Sequence, residues 1–159
     1  MTPEKVLLLE KRKAGFDAFY QALMPTLVDF AGKMGINPAH EILKNATQFA
    51  PYLDSALQNM AVADDQDRVW LLTRMGYFIG EYFAQKYGGC WYVNEISGSR
   101  YFGRYVVGQF VSLGNAALML DPFEVAQVYI DNPIPRQLDP LLKEVDAELN
   151  GGELRKTPM

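Results

Sequence analysis

Apolar residues recur at helical spacing along most of this chain, and one stretch organises the rest. Between Asp65 and Tyr87, the residues Val69, Leu72, Gly76, Ile79, Phe83 and Tyr87 fall three or four apart and define one face of a helix. Trp70, Tyr77 and Tyr82 widen that face until little of the circumference is left for water, the pattern of a central helix. Asp64 or Asp65 is placed to cap its start, where acidic side chains also favour the helix dipole. Gly88-Gly89 ends it. Beyond Gly89 the period becomes extended. Strands are predicted over residues 90–96, 101–110 and 116–120, separated by turns at Ser97-Gly98-Ser99 and Gly114-Asn115. Gly103 and Gly108 mark a bulge or a close approach of another backbone within the second strand.

Upstream, Phe16, Tyr20, Leu23, Leu27, Phe30 and Met34 line one face of a helix over residues 3–34, which Pro25 should kink or split and Gly35 should stop. The stripe also suits a coiled-coil seam, but it is too short for a sustained heptad array. Leu43, Ala46, Ala50, Leu53, Leu57 and Met60 repeat the pattern over residues 38–60, with a break predicted near residues 49–51, at Pro51. Downstream, helices are predicted over residues 121–130 and 140–149, the last stopped by Asn150-Gly151-Gly152. Thr2-Pro3, Asn37-Pro38, Asp121-Pro122 and Asp139-Pro140 each read as a capping residue followed by proline in the first turn. Glu124 extends Asp121-Pro122-Phe123 into a capping-box pattern. The expectation is a single α+β domain over residues 1–150: N-terminal helices, a long central helix, a three-stranded antiparallel meander and C-terminal helices, with a flexible tail over residues 151–159.

The chain has 159 residues, enough to bury roughly two-thirds of its unfolded surface without a metal or disulfide staple. A net charge of −4 and a pI near 5.0 argue against general nucleic-acid binding and leave a basic protein partner open. Cys90 is the one cysteine, so a reducing compartment is the simpler expectation. No apolar run has the length of a membrane span, and the start of the chain lacks the form of a signal peptide. A cytoplasmic protein is expected.

Few residues suggest chemistry. His40 is the one histidine, which rules out any two-histidine metal site, and nothing in the spacing pairs it with a nucleophile. Cys90, beside Trp91 at a strand start, reads as buried and inert. Asp64, Asp65 and Asp67 lack the glycine and terminal glutamate of a calcium loop and are read as helix-start residues. No metal or cofactor is expected. Residues 100–107, RYFGRYVV, resemble an RNA-recognition strand, but Tyr101 and Arg104 occupy the wrong positions for it. Gly76 and Gly80 allow a close approach, by another part of this chain or across a homodimer seam.

Glu81 lies among Phe78, Ile79, Tyr82 and Phe83, where a carboxylate is costly unless paired; either it pairs, with Arg100 and Arg104 as candidate partners, or it takes the helix's narrow polar side. Eleven aromatic residues fall between Tyr77 and Phe110. Either helices cover both sheet faces or an aromatic patch is exposed beside the two arginines, as Tyr, Trp and Arg dominate binding hot spots.

Gly80-Glu81, then Gly88-Gly89-x-Trp91, a strand pair and Asp121-Pro122-Phe123 before a helix resemble a pattern in small bacterial domains of unknown function. The resemblance covers residues 75–149. It implies a non-catalytic protein-binding module, of the immunity or adaptor type, whose partner is another protein such as a toxin. The partner residues expected on this reading are Glu81, Trp91, Tyr92, Arg100, Tyr101 and Arg104. The alternative is a small-molecule binder or enzyme with a pocket between the central helix and the sheet, lined by Tyr77, Glu81 and Trp91.

Overall fold

A computed structural model describes the backbone of residues 1–156 and the side chains of residues 1–151. Its order is α1 (Pro3–Lys33), α2 (Ile42–Leu57), α3 (Asp65–Tyr87), β1 (Cys90–Val93), β2 (Tyr105–Gly108), β3 (Met119–Leu120), α4 (Pro122–Asp131) and α5 (Leu138–Lys156). The three strands form one antiparallel sheet in sequence order, with Trp91 opposite Val107 and Val107 opposite Leu120. The α+β expectation holds.

Helix α3 is central. Leu71, Met75, Tyr77, Phe78, Ile79 and Phe83 are all buried on it, so its apolar surface wraps most of the circumference. Val69, placed on the inward face by its spacing, is 61% exposed, and the buried face of the helix begins at Leu71. Helices α1, α2 and α4 and strands β1 and β2 all pack on α3. The aromatic crowd is absorbed by this arrangement, and each of its eleven members is buried or half-buried. Trp91, Val107 and Leu120 share the sheet face turned to the core. Tyr105, two pairs along, meets the rings of Phe16 and Phe19 on α1 at 5.6 and 4.4 Å.

Most helix ends follow their local chemistry. The Thr2 hydroxyl accepts from Lys5 N, and Asp64 Oδ1 accepts from Asp67 N at 2.8 Å. Asp121 Oδ1 accepts from both Phe123 N and Glu124 N. Gly88 closes α3 in the left-handed conformation, at φ 69°.

Six expectations are corrected. Helix α1 runs unbroken through Pro25, and α2 runs through Pro51. Both prolines are exposed, as are Gln21 and Thr47 four residues before them, so water can take the bonds the rings remove. The break in α2 falls instead at Asn45, at φ −128° and ψ 39°. There the Gln85 carboxamide of α3 accepts from Ala46 N at 2.9 Å and donates to Ile42 O at 3.1 Å, in place of the direct helical bond between them. Asn37-Pro38 does not cap α2. Pro38 is extended, and a short 3-10 turn (Ala39–Glu41) leads in. Asp139 lies inside α5, one residue past its start. All three strands are shorter than expected, and β2 is bounded by Gly103 and Gln109, whose positive φ bends the chain out of the ladder. Helix α5 continues past Asn150-Gly151-Gly152 to Lys156. Of the expected tail, residues 157–159 lie outside the described residues.

Candidate functional site

The two glycines of α3 explain how the centre is built. A Cβ on Gly80 would stand 1.9 Å from the indole of Trp91, and one on Gly76 would stand 2.2 Å from the ring of Phe123. The glycine face is therefore filled from within the chain, by β1 and by the first turn of α4. Pressed against Gly80, Trp91 donates its indole N–H to Glu81 Oε2 at 2.9 Å. This corrects the expected ion pair of Glu81 with Arg100 or Arg104: the carboxylate is held by a neutral donor. Burial raises the Glu81 pKa above its ordinary value, while the hydrogen bonds from Trp91 and Gln85 work the other way. The indole lies directly on Gly80, and of the three residues expected to line a pocket, Tyr77 lines the recess described below.

The two arginines lie at the start of α4. Arg104 Nη1 is 3.0 Å from both Asp121 Oδ2 and Glu124 Oε2, and Arg100 Nη2 pairs with Glu124 Oε1. Both guanidinium groups also lie near the Tyr101 ring, at 4.6 and 5.6 Å from its centre. Burial raises the Tyr101 pKa, with Glu124 adding to the effect. The loop carrying these residues is pinned at its base by Asn94. Its N–H donates to Arg104 O, its carbonyl accepts from Gly103 N, and its Oδ1 accepts from Ile96 N. From α1, Lys5 donates to Ser97 O and Lys13 pairs with Glu95.

Beside that loop runs a groove of about 610 Å³, between α4, α5 and the chain leading into β3. Leu118, Leu120, Val125, Leu141, Val145 and Leu149 give it apolar lining. Ile96, 59% exposed, and Val128, 47% exposed, also line it. One arginine, Arg100, stands against four carboxylates, Asp121, Glu124, Glu144 and Glu148, so the lining is net negative. Glu144 and Glu148 are exposed on α5, and Glu148 is close enough to act on the Tyr101 hydroxyl.

A second recess, of about 330 Å³, opens between α1, α3, β2 and the start of α4, and Arg104 and Tyr77 line it. The expected partner residues are thus divided. Arg100 and Tyr101 line the groove, Arg104 lines the second recess, and Glu81 and Trp91 face each other inside the fold. Tyr92 is half-buried on the other sheet face, its hydroxyl close to Gly108.

Cys90 is exposed, not buried, because strand alternation turns Trp91 inward and its neighbour out; its thiol lies 3.5 Å from Gln109 Oε1. His40 is an exposed residue of the turn before α2. Among the described residues no cluster of His, Cys, Asp and Glu is arranged to hold a metal ion, and no helix is long and apolar enough to cross a membrane.

Two structural residues escaped sequence reasoning. Arg136 is 3% exposed and donates to the carbonyls of Leu57, Met60 and Ile130, joining the ends of α2 and α4. Gln85 bridges α3 to α2 as described. Arg136 follows a proline-rich connection, and Gln85 is polar on an apolar helix; each could have been flagged, but not its partners. The chain matches no protein-family model, no curated protein and no solved structure.

Proposed function

We propose that this protein is a non-catalytic binding module, of the immunity or adaptor type, acting in the cytoplasm. It holds a basic, apolar segment of another protein in the groove between α4, α5 and the Arg100 loop. The observation that carries this reading is the groove itself: exposed Ile96 and Val128 over an apolar floor, with carboxylates outnumbering its one arginine. An amphipathic segment fits such a surface by burying apolar anchors while its cationic residues meet the rim. Tyr101, with two arginines close to its ring, supplies an aromatic wall.

Reading the groove as the site shifts weight from the arginines to α5. Arg100 and Arg104 are neutralised by Asp121 and Glu124, whereas Glu144 and Glu148 have no ion-pair partner among the described residues. The test is titration with a Lys/Leu amphipathic peptide and its Glu/Leu counterpart. The basic peptide binds saturably, the acidic one does not, and Glu144→Lys with Glu148→Lys weakens binding by about tenfold or more. Equal binding of both peptides, or none of either, would count against the reading.

A further inference from the structure

The second recess is distinct in lining and chemistry from the groove. Its walls are aromatic: Phe19 lies 5.5 Å from Tyr77, 4.4 Å from Tyr105 and 6.0 Å from Phe123, ring centre to ring centre. Tyr105 also donates its hydroxyl to Arg12 O at 2.8 Å, tying α1 to the sheet at this point.

The polar groups here are under-used. Tyr77 is 6% exposed, and its hydroxyl makes no hydrogen bond among the described residues and keeps contact with solvent at the recess. Thr73, one turn earlier on α3, lines the same recess, and its hydroxyl is likewise unbonded among the described residues. Arg12 pairs with no carboxylate there. Arg104 commits Nη1 to Asp121 and Glu124, leaving its other guanidinium nitrogens without a described partner. Arg104 is already balanced by Asp121 and Glu124, so Arg12 is the cation of the lining that has no ion-pair partner among the described residues.

Spare donors, aromatic walls and one unpaired arginine define a ligand class. We infer that this recess binds a small aromatic carboxylic acid, its ring lying against the packed cluster of Phe19, Tyr105 and Phe123 and its carboxylate toward Arg12 and the Tyr77 hydroxyl. Its volume is at the lower end of ligand sites, which run from about 300 Å³ upward. A phosphate dianion suits it less well, because Asp121 is part of the lining and Arg12 is its one unpaired cation among the described residues. The recess does not depend on the protein-binding reading of the groove.

The test is isothermal titration with benzoate, phenylacetate and indole-3-acetate, against benzyl alcohol, which lacks the charge, and acetate, which lacks the ring. At least one aromatic acid binds saturably, and both controls bind about tenfold or more weakly by comparison. Tyr77→Phe and Arg12→Gln each weaken binding by about tenfold, the loss expected for one hydrogen bond to a charged group. Both variants keep the wild-type circular dichroism and thermal midpoint, because the groups they remove have no partner inside the protein. Glu144→Lys with Glu148→Lys leaves this binding unchanged, which separates the recess from the groove. Absence of saturable binding by all three acids, equal binding of benzyl alcohol, or wild-type affinity in both variants would overturn the inference.

Discussion

Gly80 and Glu81 are adjacent on α3 and are used for opposite purposes. Gly80 removes a side chain so that Trp91 can lie against the helix, and Glu81 then takes the indole N–H. Gly80→Ala forces the indole or the helix to move, and urea unfolding should show a loss of about 1–3 kcal/mol, the usual cost of overpacking a filled site. Gly32→Ala is the contrast. Its Cβ would meet only Ala39 at 3.6 Å, and the variant should gain about 0.5–1 kcal/mol by restricting the unfolded chain.

Glu81 has a pH signature. Its folded pKa is raised above the ordinary 4.5, chiefly by burial. Below that ordinary value the group is protonated in both states. As pH rises toward the folded pKa, the unfolded chain releases the proton first and the folded state loses relative stability. Glu81→Gln keeps an acceptor for Trp91 and removes the charge. Its stability relative to the wild type should therefore rise from acid to neutral pH in chemical denaturation, then level off. A flat difference would contradict the assignment. The cost of a carboxylate among Phe78, Ile79 and Phe83 was legible from sequence, but its partner was not. Arginine was the obvious choice by charge; the donor is an indole brought there by a glycine one residue away.

At the scale of elements, helix starts at Thr2, Asp64 and Asp121 could be read because each cap bonds within its own first turn. The breaks could not. Pro25 and Pro51 suggested them, yet exposed prolines were tolerated, and the real distortion at Asn45 comes from Gln85, 39 residues from its partner Ala46. Strand lengths were overread for a related reason: apolar composition continued past the points where Gly103 and Gln109 turn the backbone. Arg136 is the clearest long-range tie. Its guanidinium serves carbonyls at the ends of both α2 and α4, and helix C-termini favour a cation. Arg136→Met leaves those buried carbonyls without their donor and should cost about 2–4 kcal/mol in denaturant unfolding. Loss of less than about 0.5 kcal/mol would show that water replaces the clamp.

For the whole molecule, net charge and the helix–sheet–helix order were legible because they need no contacts. The groove was not. Ile96, Tyr101, Leu118, Val128 and Glu148 come from separate stretches, and only the packing of α4, α5 and the loop between β1 and β2 assembles them. Arg100 and Arg104 drew attention from sequence as partners for Glu81 or for another protein, whereas the fold pairs them with Asp121 and Glu124 and leaves Glu144 and Glu148 of α5 exposed.

The most direct measurement of the proposed function is photo-cross-linking in living cells, with benzoyl-phenylalanine at Val128, inside the groove, or at Val111, 82% exposed and outside its lining. The prediction is an adduct at Val128 whose partner segment, sequenced by mass spectrometry, is rich in apolar and Lys/Arg residues. Glu144→Lys with Glu148→Lys should abolish it. No adduct at Val128, or the same adducts from Val111, would contradict the account.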